Sequence, residues 1–241
     1  MPGVRDTQRI YQLPPLLRSL FSRRIDKDHP SDDEIIAALG TDATIIINKE
    51  IPITAALIER FPPSMKLICE AGTGFNNIAL DAAKAKGITV TNVPSYSSAA
   101  VAHLVATMIL NFSCSLGLQQ RMLQNGDRSN FTGTLQVPHF ELQGKTVGLI
   151  GGRGNIGSAV AKICVALGMK VLISSRSDAP SEIAGVDIAA SVDELLKVSD
   201  FVSVHCPLTD STKHLINAAA LKSMKPTAYL INTARGAIID E

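Results

Sequence analysis

Three glycines at a fixed spacing are the first residues in this sequence that could carry chemistry. Gly152, Gly154 and Gly157 stand in VGLIGGRGNIG with the spacing GxGxxG, after an apolar strand pattern and at the start of a helical one. In such a turn the first glycine permits a tight bend, the second lets a pyrophosphate approach, and the third allows close helix packing. Backbone N–H groups around Asn155 and Ile156, at the helix N-terminus, attract the anion. The segment predicts a dinucleotide site, with a purely structural glycine turn as the alternative.

The end of the next predicted strand indicates which dinucleotide the site prefers. An NAD site usually has an acidic residue ~20 positions after the first glycine, where it hydrogen-bonds the ribose 2′-hydroxyl. Residues 174–177 instead read SSRS, so Ser174 begins a segment without a carboxylate. Ser175 can hydrogen-bond a 2′-phosphate, and Arg176 can neutralise it or stack on the adenine. We therefore expect NADP(H) to be preferred and NAD(H) to be possible, unless Arg176 is only a solvated loop residue.

Two more polar turns follow apolar strand patterns further along the chain. They read HCP at 205–207 and TARG at 233–236. Open parallel sheets bind ligands beyond the carboxyl ends of their strands. We therefore expect both turns to lie on the same rim as the glycine turn and the SSRS segment. Arg235 is the charged residue of the last turn, and a surface arginine at a strand end is the alternative to a functional one.

The elements that would position these turns follow a βαβ pattern on both sides of one irregular region. Short β-branched runs alternate with helical patterns, which predicts an α/β fold with parallel sheets covered on both faces. Residues 125–145 are rich in Gly, Pro and polar residues and interrupt the pattern. We predict a first domain over 1–118, which ends with a long uncharged helix, and a second over 119–241. The predicted strands are 44–48, 66–70, 88–92, 146–151, 169–175, 200–205 and 228–234, and shorter helices are expected near 53–60, 78–86, 155–167 and 192–198.

Composition limits the class of protein. The chain has 241 residues and 46% hydrophobic content, which is enough for packed cores. Its 23 Lys and Arg side chains nearly balance 22 Asp and Glu side chains, so no overall field would recruit nucleic acid or an anionic membrane. The N-terminal segment MPGVRDTQRI lacks the apolar core of a signal peptide. We expect a cytoplasmic or organelle-matrix protein without nucleic-acid or membrane partners.

The cysteines and one uncharged stretch require separate interpretations. Cys69, Cys114, Cys164 and Cys206 are far apart and form no CxxC pair, so we expect buried reduced thiols and no metal site, with a disulfide or metal as the minor alternative. Residues 87–120 contain no Asp, Glu, Lys or Arg and approach the length of a spanning helix. The polar residues inside this stretch, and the absence of flanking aromatic or basic clusters, favour a helix buried between protein layers.

Taken together, these segments resemble the D-isomer-specific 2-hydroxyacid dehydrogenase family over most of the chain. The resemblance is carried by AGTGFNNIALDAAKAKGITVTNVPSYSSAAVAH, GKTVGLIGGRGNIG, SVDELLKVSDFVSVHCPLTDSTKHLIN and MKPTAYLINTARGAIIDE. Within the family, INKEIPI and AGTGFNN are similar to the glycerate dehydrogenase and hydroxypyruvate reductase branch. The resemblance implies two Rossmann-like, doubly wound parallel-sheet domains, the second incomplete at its C-terminus. It also implies hydride transfer between NAD(P)H and a small 2-oxo or 2-hydroxy acid.

The resemblance assigns roles to individual residues. Thr73 and Gly74 match the backbone that receives the substrate carboxylate, in a turn whose consecutive N–H groups would form an anion nest. Arg235 matches the catalytic arginine, whose permanently charged fork can hold carboxylate and carbonyl oxygens and polarise the C=O bond. The residues that match the cofactor side of the rim are Cys206, Pro207, Thr212, Thr233 and Ala234.

Some positions depart from the family pattern. Asn76 stands where many members have Asp, and His103 and Leu104 replace a Glu-His or Gln-His pair at the start of the long helix. His205 matches a strand-end residue and not the proton donor of the family. The resemblance places that donor, a histidine, and the glutamate that tunes it beyond Glu241. We therefore expect the 241 residues alone to be inactive in reduction.

Three functions stay open from the sequence. The leading expectation is an NADPH-preferring reductase of hydroxypyruvate, glyoxylate or a similar acid, which forms a homodimer through its uncharged helix when complete. A non-catalytic NADP(H)-binding sensor is the second, because the same fold can serve binding alone. An inactive truncated product is the third.

Overall fold

The structure, a computed structural model, describes residues 23, 25, 27–175 and 181–241, and Arg176 therefore lies outside the described residues. The chain forms two compact units that divide between Pro94 and Ser95. The helices and strands of the first unit are α1 (Asp32–Leu39), β1 (Ile45–Asn48), α2 (Ala55–Glu59), β2 (Leu67–Glu70), α3 (Leu80–Ala85) and β3 (Thr89–Thr91). Those of the second are α4 (Ser98–Cys114), α5 (Leu116–Gln124), β4 (Thr146–Ile150), α6 (Asn155–Ala166), β5 (Lys170–Ser174), β6 (Val186–Ile188), α7 (Val192–Val198), β7 (Phe201–Val204), α8 (Ala218–Ser223) and β8 (Tyr229–Asn232).

Each unit is built on a parallel sheet, so the predicted α/β fold is confirmed. The first sheet has the strand order β1-β2-β3 among the described residues, and the second has the order β6-β5-β4-β7-β8. In the second sheet the chain runs outward from β4 to β6 and then returns to the other side of β4 with β7. Ligands bind beyond the carboxyl ends of parallel strands, where the order reverses in this way. The reversal therefore sets the ends of β4, β5, β7 and β8 along one edge.

Local sequence explains where several helices begin. Ser31, Thr54, Ser191 and Asn217 cap α1, α2, α7 and α8, because each side-chain oxygen accepts a hydrogen bond from a backbone N–H in the first turn. Helix α6 differs, since its N-cap is Gly154 and no side-chain cap exists within the described chain. The first N–H groups of α6 therefore depend on another acceptor.

The long helix α4 packs in the second unit. Ala102, Val105 and Ile109 are fully buried in the same core as the strands of the second sheet, and α4 contacts α6. The division at Pro94 consequently lies well before the predicted boundary at residue 118, because the apolar face of α4 belongs to this core. Among the described residues no single helix is long and apolar enough to cross a membrane, whereas α4 and α5 together meet that criterion across a bend of 63°.

The irregular region 125–145, predicted to cross between domains, also lies in the second unit. The Asn130 side chain organises it, because Oδ1 accepts from the N–H groups of Gln136 at 2.7 Å and Val137 at 3.3 Å. The Phe140 N–H donates to the Ser113 carbonyl at 2.9 Å, which joins this region to α4. A segment without regular structure is therefore held in place by side-chain and backbone hydrogen bonds.

The cysteines are free, as expected, but they are not all buried. Cys164 lies in the core of the second unit, and burial raises the pKa of its thiol to about 12. Cys69, Cys114 and Cys206 are only partly buried. The prediction of four buried thiols is wrong for these three. Cys69 alternates with buried neighbours along β2, Cys114 is the last residue of α4, and Cys206 lies in the turn after β7.

Candidate functional site

Four glycines shape the turn between β4 and α6, and they have different roles. Gly151 has a φ of +81°, and a Cβ on it would lie 2.7 Å from the Cys206 nitrogen. A Cβ on Gly152 would lie 2.4 Å from Cγ2 of Ile173, and one on Gly157 would lie 2.6 Å from the Gly152 Cα. The tight bend therefore depends on Gly151, which the sequence analysis left out, while Gly152 and Gly157 permit close packing. The signal for Gly151 was the GG pair directly after a strand.

Gly154 is the glycine that protein packing does not require. Within the described residues a Cβ on it would meet only the Gly151 carbonyl oxygen, at 3.4 Å. Its φ of −68° and ψ of 166° are accessible to any residue. Gly154 is exposed and begins α6, whose N-terminal N–H groups and dipole attract negative charge. The open space and the uncapped helix together fit the approach of a pyrophosphate.

The two residues after Gly154 can serve a ligand in different ways. Asn155 is an exposed residue in the first turn of α6. Ile156 packs its side chain against the core of the second unit. Only the backbone of Ile156 is therefore available to an anion at this helix terminus.

A basic residue connects the glycine turn to the end of β5. Ser174 is the last residue of β5, and Ser175 follows it. The Arg153 Nε donates to the Ser175 Oγ at 2.8 Å. Arg153 had no predicted role, although a charged residue inside a glycine turn is a signal that could have identified it. The structure thus brings the glycine turn and the predicted 2′-phosphate segment together.

The HCP turn lies on the other side of the glycine turn. The His205 N–H donates to the Ile150 carbonyl at 2.8 Å, and the Cys206 nitrogen lies close to Gly151. Burial lowers the pKa of His205 to about 4 and raises the pKa of the Cys206 thiol. Both His205 ring nitrogens are buried without a hydrogen-bond partner among the described residues. His205 is therefore a neutral imidazole at neutral pH.

Thr212 closes the loop that follows the HCP turn. Its Oγ1 donates to the Pro207 carbonyl at 2.6 Å and accepts from the Thr209 N–H at 2.8 Å. Pro207 itself is exposed at the start of this loop. The Thr212 hydroxyl consequently shapes the loop from inside, and its contribution to a ligand site would come through that shape.

The TARG turn after β8 is organised by a residue that the sequence analysis missed. The Asn232 Oδ1 accepts from the Ala234 N–H at 3.0 Å, and its Nδ2 donates to the Arg235 carbonyl at 2.9 Å. Asparagine at a strand end favours such local turns, which was the available signal. Arg235 is exposed, with its Nη1 donating to the Ala234 carbonyl at 2.8 Å. The Thr233 Oγ1 is buried without a partner in the described part of the chain.

The predicted substrate turn lies in the first unit, after β2. The Thr73 Oγ1 donates to the Val93 carbonyl at 3.2 Å, and the Asn92 Nδ2 donates to the Thr73 carbonyl at 2.8 Å. Gly74 follows and is partly exposed. Two hydrogen bonds therefore tie this turn to the end of β3.

A buried carboxylate supports the same turn from the other side. Glu70, the last residue of β2, is 1% exposed. Its Oε2 accepts from Asn48 Nδ2 at 2.7 Å and Asn77 Nδ2 at 2.9 Å, and its Oε1 accepts from the Glu50 N–H at 3.0 Å. Burying a carboxylate is costly unless donors surround it in this way. The sequence analysis missed Glu70, whose signal was an acidic residue at the end of an apolar strand. We call Glu70 with Asn48, Glu50 and Asn77 the Glu70 cage.

The second unit thus has the features of a dinucleotide-binding α/β unit. A glycine turn leads into an uncapped helix beside the reversal of strand order, and the ends of β5, β7 and β8 lie along the same edge. Within the described ranges no group of three or more His, Cys, Asp or Glu side chains could hold a metal ion. The uncapped N-terminus of α6 attracts negative charge at this edge.

Comparison with known proteins gives the family. Residues 106–241 match the NAD-binding domain of the D-isomer-specific 2-hydroxyacid dehydrogenases. A hydroxypyruvate reductase from Thermotoga maritima is 36% identical over 232 residues, which cover 94% of this chain and 71% of that protein. The chain belongs to the D-isomer-specific 2-hydroxyacid dehydrogenase family. The family match and this relative together support NAD-dependent oxidoreduction of 2-hydroxy acids.

Solved structures show the same relationship. An acyclic imino acid reductase in complex with NADPH and D-Arg superposes with a TM-score of 0.83 at 30% identity, over 95% of this chain and 73% of that one. A D-lactate dehydrogenase from Aquifex aeolicus, complexed with NAD and lactic acid, has a TM-score of 0.78 at 35% identity, over 88% of this chain and 61% of that one. Structural relatives with either dinucleotide therefore share this fold.

Proposed function

We propose that this protein is an NADPH-preferring reductase of hydroxypyruvate, glyoxylate or a similar small 2-oxo acid. The observation that carries the proposal is the glycine turn, in which open space over Gly154 meets the uncapped N-terminus of α6. The similarity to a hydroxypyruvate reductase supports the substrate class. A bound nicotinamide dinucleotide would supply the hydride, and the residues of this chain would hold and orient it.

We assign the substrate-facing roles to three residues. The backbone of Thr73 and Gly74 would receive the substrate carboxylate, because the turn is tied to β3 and supported by the Glu70 cage. Arg235 would hold carboxylate and carbonyl oxygens with its planar fork and stabilise developing charge on the carbonyl. Since the pKa of His205 is about 4, His205 is a poor proton donor at neutral pH and has no acid role in this proposal.

Replacing Arg235 by Lys tests the catalytic assignment. A compact ammonium cannot reproduce the bidentate contact, so we expect kcat/KM for hydroxypyruvate and glyoxylate to fall by roughly 10²-fold or more. The affinity for NADPH should barely change. The assay follows NADPH oxidation by the full translated product of the gene, with Arg128→Lys, at an exposed position outside α4 and α5, as the matched control. Turnover of Arg235→Lys close to that of the control would remove Arg235 from the catalytic role.

The cofactor contacts are assigned to the rim of the second sheet. We assign them to Gly152, Gly154, Asn155, Ile156, Gly157, Ser174, Ser175, Arg176, Cys206, Pro207, Thr212, Thr233 and Ala234. The missing carboxylate at the end of β5 supports the NADPH preference. We expect NADPH to bind more tightly than NADH in a fluorescence titration, and Arg176→Ala to weaken NADPH selectively. Equal affinities in the unmutated protein would reject the preference but not the dinucleotide site.

We also infer a homodimer in the cytoplasm or an organelle matrix, without a nucleic-acid or membrane partner. The support is a set of leucines on α4 and α5 that are 42–54% exposed, namely Leu104, Leu110, Leu116, Leu118 and Leu123. Large exposed apolar patches mark interaction surfaces. Sedimentation analysis should give a dimer, and Leu110→Glu should shift it toward a monomer. A concentration-independent monomer would reject this assembly.

A further inference from the structure

A basic side chain inside the glycine turn reaches the position where the adenosine ribose is recognised. Arg153 is exposed between Gly152 and Gly154, and its Nε donates to the Ser175 Oγ at 2.8 Å. In α/β dinucleotide sites the pyrophosphate lies at the glycine turn and the ribose 2′ group lies at the end of the second strand. Arg153 is part of the glycine turn, and its side chain contacts the residue that follows the second strand.

The two strand ends that this contact joins contain no acidic residue. Residues 151–154 and 174–175, at the carboxyl ends of β4 and β5, include no Asp or Glu. A carboxylate at the end of β5 would accept hydrogen bonds from ribose hydroxyls and would repel a phosphate. The Arg153 guanidinium and the Ser175 hydroxyl stand there instead.

The chemistry of this pair favours a phosphate over a hydroxyl. A guanidinium has five N–H donors and a permanent charge, and a serine hydroxyl can both accept and donate a hydrogen bond. A phosphate monoester has oxygens for several charge-assisted hydrogen bonds, which are about twice as strong as neutral ones. A ribose 2′-hydroxyl has neither the charge nor the number of acceptors.

We propose that Arg153, together with Ser175, is a specificity-determining residue that recognises the 2′-phosphate of NADPH. It acts from the glycine turn and in addition to the Arg176 expected from the sequence. This inference rests on the proposed function, which places a dinucleotide at the turn. The hydrogen bond to Ser175 holds the guanidinium near the phosphate position, so part of its side-chain entropy is lost before the ligand arrives.

Titrations of NADPH and NADH into unmutated protein and Arg153→Gln test the proposal. The Kd of NADPH should rise roughly 10- to 100-fold in Arg153→Gln, while that of NADH should change less than about threefold. In Arg153→Gln, 2′,5′-ADP should also compete less well with NADPH, whereas competition by 5′-ADP should not change. Lys162→Gln is the control, because it removes the same charge from an exposed position on α6 away from the turn. It should leave both dissociation constants unchanged.

The outcomes separate this inference from the proposed function. Suppose that the unmutated protein binds both dinucleotides and that Arg153→Gln raises both dissociation constants equally or changes neither. Arg153 is then not a specificity determinant, and the dinucleotide site stands. Unmutated protein that binds neither dinucleotide rejects both proposals. If Arg153→Gln fails to fold by circular dichroism, Arg153→Lys decides, because the lost fork should still lower the NADPH preference. An unchanged preference in Arg153→Lys would overturn the inference.

Discussion

The turns after β2 and β4 both follow buried parallel strands, but different chemistry shapes them. In the first unit the buried Glu70 carboxylate accepts from three N–H donors and joins neighbouring loops through the Glu70 cage. In the second unit the turn is shaped by missing side chains, since a Cβ on Gly152 or Gly157 would overlap neighbouring atoms. One turn is held by polar side chains and the other by close packing.

The two regions also differ in how their buried polar groups are satisfied. Glu70 has donors on both carboxylate oxygens, whereas His205, Thr233 and Ser203 have buried polar atoms without partners among the described residues. Buried polar groups are normally hydrogen-bonded, and an exception calls for an explanation such as a ligand or water. The carboxylate before the first turn thus has donors on both oxygens, whereas His205 and Thr233, which follow β7 and β8, have buried polar atoms that no described residue pairs.

The largest expected effect separates the glycines of the second unit. Gly157→Ala should destabilise the protein by about 3 kcal/mol or more, because the new Cβ meets backbone atoms that cannot move aside. Gly154→Ala should change stability by less than about 0.5 kcal/mol but weaken dinucleotide binding at least ~10-fold, since its Cβ would enter the anion site. Urea unfolding and NADPH titration measure the two effects. Equal stability losses in the two variants would contradict the assigned roles.

The next effect concerns the unpartnered His205 and its response to acid. Because burial lowers its pKa from 6.5 to about 4, the unfolded chain binds a proton between these pH values that the folded chain does not. Stability should therefore fall as pH drops through this window, by ~3 kcal/mol at most. We expect the unfolding free energy of the unmutated protein to fall more steeply from pH 7 to pH 4 than that of His205→Asn. Equal slopes in the two proteins would contradict the prediction. His139→Asn, at an exposed position, is the control for the loss of an imidazole.

A smaller effect is expected from the Glu70 cage. In Glu70→Gln an NH₂ group replaces one carboxylate oxygen and faces an N–H donor that it cannot accept from. This change should lower the free energy of unfolding by about 2 kcal/mol. Because the cage supports the predicted substrate turn, the KM for hydroxypyruvate should rise while NADPH affinity stays constant. Glu59→Gln, an exposed acid in the same unit, is the control for the lost charge. A Glu70→Gln protein with unchanged KM would restrict the cage to a purely structural role.

The smallest effect sharpens the contrast between the two turns. A Cβ on Gly72 would lie 3.3 Å from the Glu70 Oε1 and 3.4 Å from the Lys49 Nζ, which are side-chain atoms that can shift by tenths of an ångström. Gly72→Ala should therefore cost less than about 1 kcal/mol. Thermal unfolding of Gly72→Ala and Gly157→Ala under the same conditions compares the two stability losses directly. A loss as large as that of Gly157→Ala would mean that the first turn also depends on close glycine packing.

Most strands were predictable because their signal is local. The β-branched run at 44–48 became β1, and the pattern at 155–167 became α6 over Asn155–Ala166. The predicted helix at 192–198 has the bounds that the structure shows. Helices α1, α5 and α8 and strand β6 were not predicted. Strand β6 has only three residues and α8 only six, so each is shorter than the window over which its periodicity can be recognised.

The sequence left out some residues that shape these turns, for a related reason. The glycine spacing identified Gly152, Gly154 and Gly157, but the positive φ belongs to Gly151 and depends on the approach of Cys206. Arg153 and Asn232 became relevant only through hydrogen bonds within and between turns. Such contacts leave no periodicity in the sequence. The predicted roles of Thr73, Gly74 and Arg235 stay predictions, to be tested by the variants above.

The sequence by itself determined the parallel α/β pattern, the glycine turn and the absence of a carboxylate from residues 174–177, because periodicity, glycine spacing and residue type can be read along the chain. Only the tertiary structure decided that α4 belongs to the second unit, that Glu70 is surrounded by three donors, and that Arg153 reaches Ser175. The physical reason is that each of these facts is a contact between residues distant in sequence, and its energy depends on which groups share a buried or crowded space.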